Sequence, residues 1–349
     1  MTKAELDNRK ILPLEDSWYR RVKEKLDGIA KPLDGLGKFE HLIAQIGAIE
    51  KTTKISIQKK AVLVMCADNG VVEEQVSQSG KEVTLAVAKA MGVNNSSVGK
   101  MAAVAGVDVV PVDIGIDTDE VIPGVLPRKV AKGTKNFAKE PAMTEEEVLK
   151  AIETGIQLVQ QCHREGYEIL ATGEMGIGNT TTSTAVAAAL LDLEVEQVTG
   201  KGAGLTDEAL KRKCRVIEEA IEKYSLRDAD AFTILKTVGG LDIAGLTGVF
   251  IGAAIEQIPV VTDGVISAVA ALLAETLCKG AVNYMIPSHK SRELAETVIM
   301  ERASKLYDKK FLWNCTLYTT CEPCPMCAGA VYWGNVGRVV YAMTEERLL

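Results

Sequence analysis

Apolar positions change their rhythm along the chain. Across residues 18–26 and 39–49, leucine, isoleucine and valine recur at helical spacing, which predicts two helices parted by the proline and glycine break Lys31-Pro32-Leu33-Asp34-Gly35-Leu36-Gly37. The run Ala61-Val62-Leu63-Val64-Met65-Cys66-Ala67 is apolar without alternation, as in a strand buried on both faces, and it ends in Asp68-Asn69-Gly70. A mostly helical region at 81–105 leads to a second strand at 107–112, which runs into Asp113-Ile114-Gly115-Ile116-Asp117. Residues 118–141 hold three prolines, several lysines and little periodicity, so an irregular excursion around a site or toward a partner subunit is expected there. Thr144 and Glu147 form a capping-box pattern that starts the next helix.

The centre of the pattern is Gly173-Glu174-Met175-Gly176-Ile177-Gly178-Asn179-Thr180-Thr181-Thr182. It follows the apolar run Glu168-Ile169-Leu170-Ala171 and precedes an alanine-rich helix at 183–191. Its three glycines permit a sharp turn and close approach to a ligand. The helix start beyond them suits a phosphate or carboxylate. Then come the loop Gly200-Lys201-Gly202-Ala203-Gly204-Leu205-Thr206, an amphipathic helix at 208–224, and the glycine-rich apolar stretch at 237–248 with the single acid Asp242. A last strand at 258–262 delivers Asp263, Gly264 and Ser267 to another alanine-rich helix.

This alternation predicts an α/β fold, a Rossmann-like parallel sheet flanked by helices. The expected division is a helical N-terminal segment at 1–55, an α/β domain at 56–290 and a separate C-terminal segment at 291–349. Loops at 68–70, 113–117, 173–180, 200–206 and 263–267 should then converge on one edge of the sheet, where such folds bind ligands. The glycines favour a phosphorylated one.

Composition narrows the partner. The chain has 349 residues, 47% of them hydrophobic, enough for a large core. A net charge of −7 without a long basic cluster argues against nucleic acid and for a small molecule. The charged start Met1-Thr2-Lys3-Ala4-Glu5 does not look like a signal peptide, and no apolar stretch approaches the roughly 20 residues that span a bilayer, so no membrane association and a cytoplasmic location are expected. Of the eight cysteines, Cys66, Cys162, Cys214 and Cys278 are scattered and read as buried thiols, whereas Cys315, Cys321, Cys324 and Cys327 lie within thirteen positions.

Six stretches carry a resemblance. They are Lys31-Pro32-Leu33-Asp34-Gly35-Leu36-Gly37, Val64-Met65-Cys66-Ala67-Asp68-Asn69-Gly70-Val71, Val112-Asp113-Ile114-Gly115-Ile116-Asp117, the central glycine stretch, Val238-Gly239-Gly240-Leu241-Asp242 and Ile286-Pro287-Ser288-His289. In this order, over roughly residues 5–290, the chain resembles the nicotinate-nucleotide:dimethylbenzimidazole phosphoribosyltransferases. The resemblance implies a homodimeric, cofactor-free pentosyltransferase of cobalamin biosynthesis, moving ribose 5-phosphate from nicotinate mononucleotide to 5,6-dimethylbenzimidazole or a related base. The pyridinium leaving group is already cationic, so the attacking azole needs a carboxylate to take its proton.

Carried over by motif, Glu174, Met175, Gly176, Ile177, Gly178, Asn179 and Thr180 would contact the nucleotide, with Gly202 and Gly204 as neighbours. Asp242 and Asp263 complete the substrate-binding set, and Ser79 would line the base pocket. Val87 stands where the family's best-known members carry a glutamine beside the base. The family's Gly-Glu-Gly stretch, whose glutamate is the general base, does not occur after residue 290, which leaves the catalytic residue open, with Glu174 or solvent as a substitute.

Beyond residue 290 the chain resembles a different family. Cys315-Thr316-Leu317-Tyr318-Thr319-Thr320-Cys321-Glu322-Pro323-Cys324-Pro325-Met326-Cys327 looks like the Pro-Cys-x-x-Cys element of zinc-dependent cytidine, guanine and tRNA-adenosine deaminases. Glu296, 28 positions before Cys324, would be the proton-shuttling glutamate, but Leu294 occupies the histidine's place. Cys324 and Cys327 alone make an incomplete metal site, expected to bind zinc weakly. A junction at about 290–294 is expected. The alternatives to the transferase are a zinc-dependent nucleobase deaminase and a non-catalytic nucleotide binder.

Overall fold

The computed structural model describes residues 1–202, 204–288, 316–321 and 338–343. Three helices open the chain: α1 (Lys3–Asp7), α2 (Asp16–Asp27) and α3 (Lys38–Ile49). Then come β1 (Lys60–Ala67), α4 (Glu82–Gly92), α5 (Ser97–Ala105), β2 (Asp108–Gly115) and the short β3 (Leu126–Pro127). The chain returns through α6 (Glu145–Arg164) to β4 (Ile169–Met175), followed by α7 (Asn179–Leu191), α8 (Val195–Val198), α9 (Asp207–Lys223), α10 (Ala231–Val238) and α11 (Leu241–Glu256). Next are β5 (Val260–Thr262), α12 (Gly264–Leu277) and β6 (Met285–Pro287). Two further strands, β7 (Thr316–Cys321) and β8 (Arg338–Met343), pair in parallel with each other. Glu296, Cys324 and Cys327 lie outside the described residues.

The main sheet has six parallel strands in the order β3-β2-β1-β4-β5-β6. This is the doubly wound order, with its topological switch between β1 and β4. The unalternated apolar run of β1 follows from cover on both faces. Leu63 and Met65 enter the large core cluster with α6, α7, α11 and α12, while Val62, Val64 and Cys66 enter a smaller one with Ala88 and Met91 of α4. α11 is the central helix: every residue from 241 to 254 is buried, including Asp242.

The N-terminal helices pack onto this body. Leu6 is fully buried in the large cluster, the terminal ammonium lies 2.8 Å from Glu153 of α6, and Gln45 of α3 donates to the carbonyls of Asn283 and Met285 at 3.0 and 3.2 Å. No helix among the described residues is long and apolar enough to cross a membrane.

At the central glycine stretch, two boundaries differ from those read in the sequence. Gly173, Glu174 and Met175 belong to β4 and not to the turn, because they pair with Val64, Met65 and Cys66 of β1. The helix after the turn starts at Asn179, four residues before the alanine-rich segment. Both differences come from neighbouring elements, which no local periodicity records.

Candidate active site

The site is built at the carboxyl ends of β1 and β4, where the sheet order reverses. β1 ends in Asp68-Asn69-Gly70, and β4 ends in Glu174-Met175 and the turn Gly176-Ile177-Gly178, which leads into α7. The two ends are in close contact. A Cβ on Gly176 would stand 2.5 Å from the Ala67 carbonyl and 2.8 Å from Asp242 Oδ2, so only glycine fits. Gly178 caps α7 at φ +93°, a conformation glycine adopts without strain.

Asn179 binds two acids together. Its amide nitrogen donates to Glu174 and, at 3.1 Å, to Asp242 Oδ2. Glu174 is half-buried and Asp242 fully buried at the first turn of α11, where the Ile243 N–H also donates to it at 3.0 Å. Burial raises the Glu174 pKa to about 7, aided by the charges of Asp242 and Asp263 and opposed by the Asn179 hydrogen bond. Burial also raises Asp242 to about 6, against the hydrogen bonds from Asn179 and the backbone. Two carboxyls near each other in a dry setting resist ionising together. Asp263, at the exposed start of α12, adds its charge against Glu174.

A cation and a second glycine loop lie on the other side of the turn. Lys213 of α9 is 1% exposed, and its ammonium donates to Thr180 Oγ1 at 3.0 Å and to the Gly200 carbonyl at 3.2 Å. Gly202 lies beside Thr180, and Gly204 accepts a hydrogen bond from Gln78. The loop at 200–205 therefore meets both the start of α7 and the loop that carries Ser79. Ser79 itself is half-buried, its N–H bonded to Ser77 Oγ at 3.3 Å. Val87 sits half-buried on α4 against the smaller core cluster.

The structure thus brings Glu174, Gly176, Ile177, Gly178, Asn179, Thr180, Gly202, Asp242 and Asp263 into one neighbourhood. Gly204 and Ser79 stand at its rim. Met175 turns the other way and packs against the smaller cluster. Part of the excursion at 118–141 also reaches this edge: Thr134 Oγ1 accepts from the Gly70 N–H at 3.1 Å, and the Thr134 N–H donates to the Asp68 carbonyl at 3.0 Å. Asp113, where the sequence predicts a loop, instead lies in β2 paired with Cys66 of β1; Lys129 holds it at 3.0 Å, and it serves the fold.

Sequence reasoning missed Thr84 and Lys213, and marked Asn69 only as part of its loop. For Lys213 a signal existed: it falls between Ala209 and Ile217 on the apolar stripe of α9, where a lysine has no place unless it meets a partner. Elsewhere among the described residues, Asp27, Asp34 and Glu40 offer ligand atoms within 4.8 Å of one another, as a metal site would. Lys23 reaches all three at 2.6–3.1 Å and Lys31 reaches Glu40 at 2.7 Å, so lysines already neutralise that cluster and hold Glu40 down to about 2.

Residues 11–305 match the family described as Phosphoribosyltransferase. The chain is 46% identical over 280 residues to the nicotinate-nucleotide–dimethylbenzimidazole phosphoribosyltransferase of Acetivibrio thermocellus, covering 80% of each protein. It belongs to that family. The Clostridium perfringens member is 44% identical over 281 residues, covering 80% of this chain and 78% of its own. Among solved structures, CobT from Thermus thermophilus superposes with a TM-score of 0.78 at 32% identity, covering 82% of this chain and 86% of its own. The α/β fold with a Rossmann-like sheet and the pentosyltransferase class follow from this membership.

Proposed function

We propose that this chain transfers ribose 5-phosphate from nicotinate mononucleotide to 5,6-dimethylbenzimidazole or a related base, releasing nicotinate and forming α-ribazole phosphate. The observation that carries the reading is the joining, at the switch point of the sheet, of a glycine turn, a helix start and a buried lysine with the Glu174–Asn179–Asp242 group. The relatives' names supply the substrates.

In this reading the phosphate sits at the start of α7, where the helix dipole favours an anion, with Lys213 supplying charge and Gly202 and Gly204 letting backbone approach. Ile177, Gly178, Asn179 and Thr180 surround phosphate and ribose, and Met175 supports the turn from below. The azole nitrogen forms the new bond to C1′ as the C1′–pyridinium bond breaks, and that electron pair neutralises the leaving ring. The azole proton goes to Glu174. A carboxylate with a pKa of about 7 suits this role near neutral pH. Asp242 holds Asn179, and through it orients Glu174, while Asp263 adds negative potential at the mouth. Ser79 and Val87 line the base pocket, and two copies of the chain form the active dimer.

The test is nicotinate release from nicotinate mononucleotide, with and without 5,6-dimethylbenzimidazole. Base-dependent release is expected, and Glu174→Gln should lower it by about 10² to 10⁴ while nucleotide affinity changes only a few-fold. Undiminished release in that variant would remove Glu174 from the role. Absent release by the natural chain, with the nucleotide still bound, would leave a binding protein. Lys213→Met tests the phosphate seat separately: it should weaken nucleotide binding about tenfold or more, since a charge-assisted hydrogen bond is worth roughly 1.5–3 kcal/mol.

A further inference from the structure

Two backbone groups in the middle of the glycine turn are held from outside it. The Ile177 N–H donates to Thr84 Oγ1 of α4 at 3.1 Å, and the Ile177 carbonyl accepts from Asn69 Nδ2 at 3.4 Å. Thr84 is fully buried, on the helix face that packs toward the sheet. A hydroxyl that accepts one hydrogen bond still has its own proton to donate. The neighbouring acceptor is Asp68, whose Oδ2 takes the Asp117 N–H at 2.8 Å and whose Oδ1 is buried without a hydrogen bond among the described residues. Burial raises the Asp68 pKa, and the Asp117 N–H and the Thr84 hydroxyl draw it back toward the charged form. Asp117 in turn is bonded to Lys81, one turn before Thr84. A polar run from Lys81 through Asp117 to Asp68 therefore stands beside Thr84, which holds the turn.

We propose that Thr84 is a positioning residue for the nucleotide site: its buried hydroxyl accepts the Ile177 N–H and so fixes where the Gly176–Gly178 turn and the first residues of α7 stand. This rests on the nucleotide reading given above. Thr84 touches no substrate. Two of the turn's three residues are glycines, with no side chain to set its position, so the outside anchors on Ile177 determine it.

Thr84→Val keeps the shape of the side chain and removes the hydrogen bond to the Ile177 N–H, while Thr84→Ser restores the hydroxyl. Hydrogen exchange of the amides at 176–182 in the ligand-free protein and calorimetric binding of nicotinate mononucleotide are the two readouts. Thr84→Val should exchange about tenfold faster in the turn and bind about tenfold or more weakly, with β1 and β4 unchanged, and Thr84→Ser should return both to within about threefold of the natural chain. Unchanged exchange and affinity in Thr84→Val would overturn the proposal. So would faster exchange spread evenly through β1 and β4, or a failure of serine to rescue. Failure of the natural chain to bind the nucleotide would sink the substrate reading alone, since exchange in the free protein still decides whether Thr84 sets the turn.

Discussion

Asn179 has one amide nitrogen and two acids to satisfy, and the pH behaviour of the site follows from that shortage. Glu174 titrates at about 7 in the folded chain and near 4.5 when exposed; for Asp242 the values are about 6 and 3.8. Below the lower values both states hold their protons. As pH rises through the window, the unfolded chain releases protons that the folded chain keeps, so this pair's contribution to stability falls. Glu174→Gln cannot ionise and escapes part of the loss. Its melting temperature relative to the natural chain should therefore be higher at pH 8 than at pH 5, by an amount corresponding to about 1–3 kcal/mol. Equal differences at the two pH values would show that Glu174 ionises freely in the folded state.

At the scale of elements, the position of Asp242 depends on how closely α11 approaches α6. A Cβ on Gly248 would stand 2.0 Å from the Ile152 carbonyl, and one on Gly155 would stand 2.1 Å from the Gly245 carbonyl, so the two helices pack backbone to backbone. Gly248→Ala should push α11 away and cost about 2–3 kcal/mol, measured by denaturant unfolding. Nucleotide affinity should fall with it, because Asp242 and Asn179 would shift together. A variant as stable as the natural chain would mean that the helices have room to separate.

Across the whole molecule, the first residues of the chain contribute to the same core as the last strand of the main sheet. Leu6 is fully buried, Cys278 packs beside it, and the Tyr284 hydroxyl, at the sheet's far edge, donates to the Leu12 carbonyl at 2.8 Å. Leu6→Ala should destabilise the protein by about 2–4 kcal/mol in a single unfolding transition. A separate early transition of the N-terminal helices, with the rest unaffected, would show that they fold as an independent unit.

Much of this was legible in the sequence because its signals are local. An apolar run without alternation marks a strand covered on both faces, which is why β1 was readable from residues 61–67 alone. The capping pattern of Thr144 and Glu147 marks a helix start, and both reciprocal hydrogen bonds are present. The central glycine stretch marked the site because glycine is required where backbone approaches backbone. Only the tertiary structure decided the pairings between distant segments. Glu174 became a strand residue through its partner Met65, Asp242 became an acid with a raised pKa through burial beside Glu174, and Lys213 and Thr84 reached the turn from helices 33 and 93 residues away in sequence. Glu174 and Thr84 are ordinary residue types where they stand in the chain, and Lys213 is marked only by its place on an apolar stripe. Their roles come from desolvation and from partners across the sheet, quantities that a linear pattern does not contain.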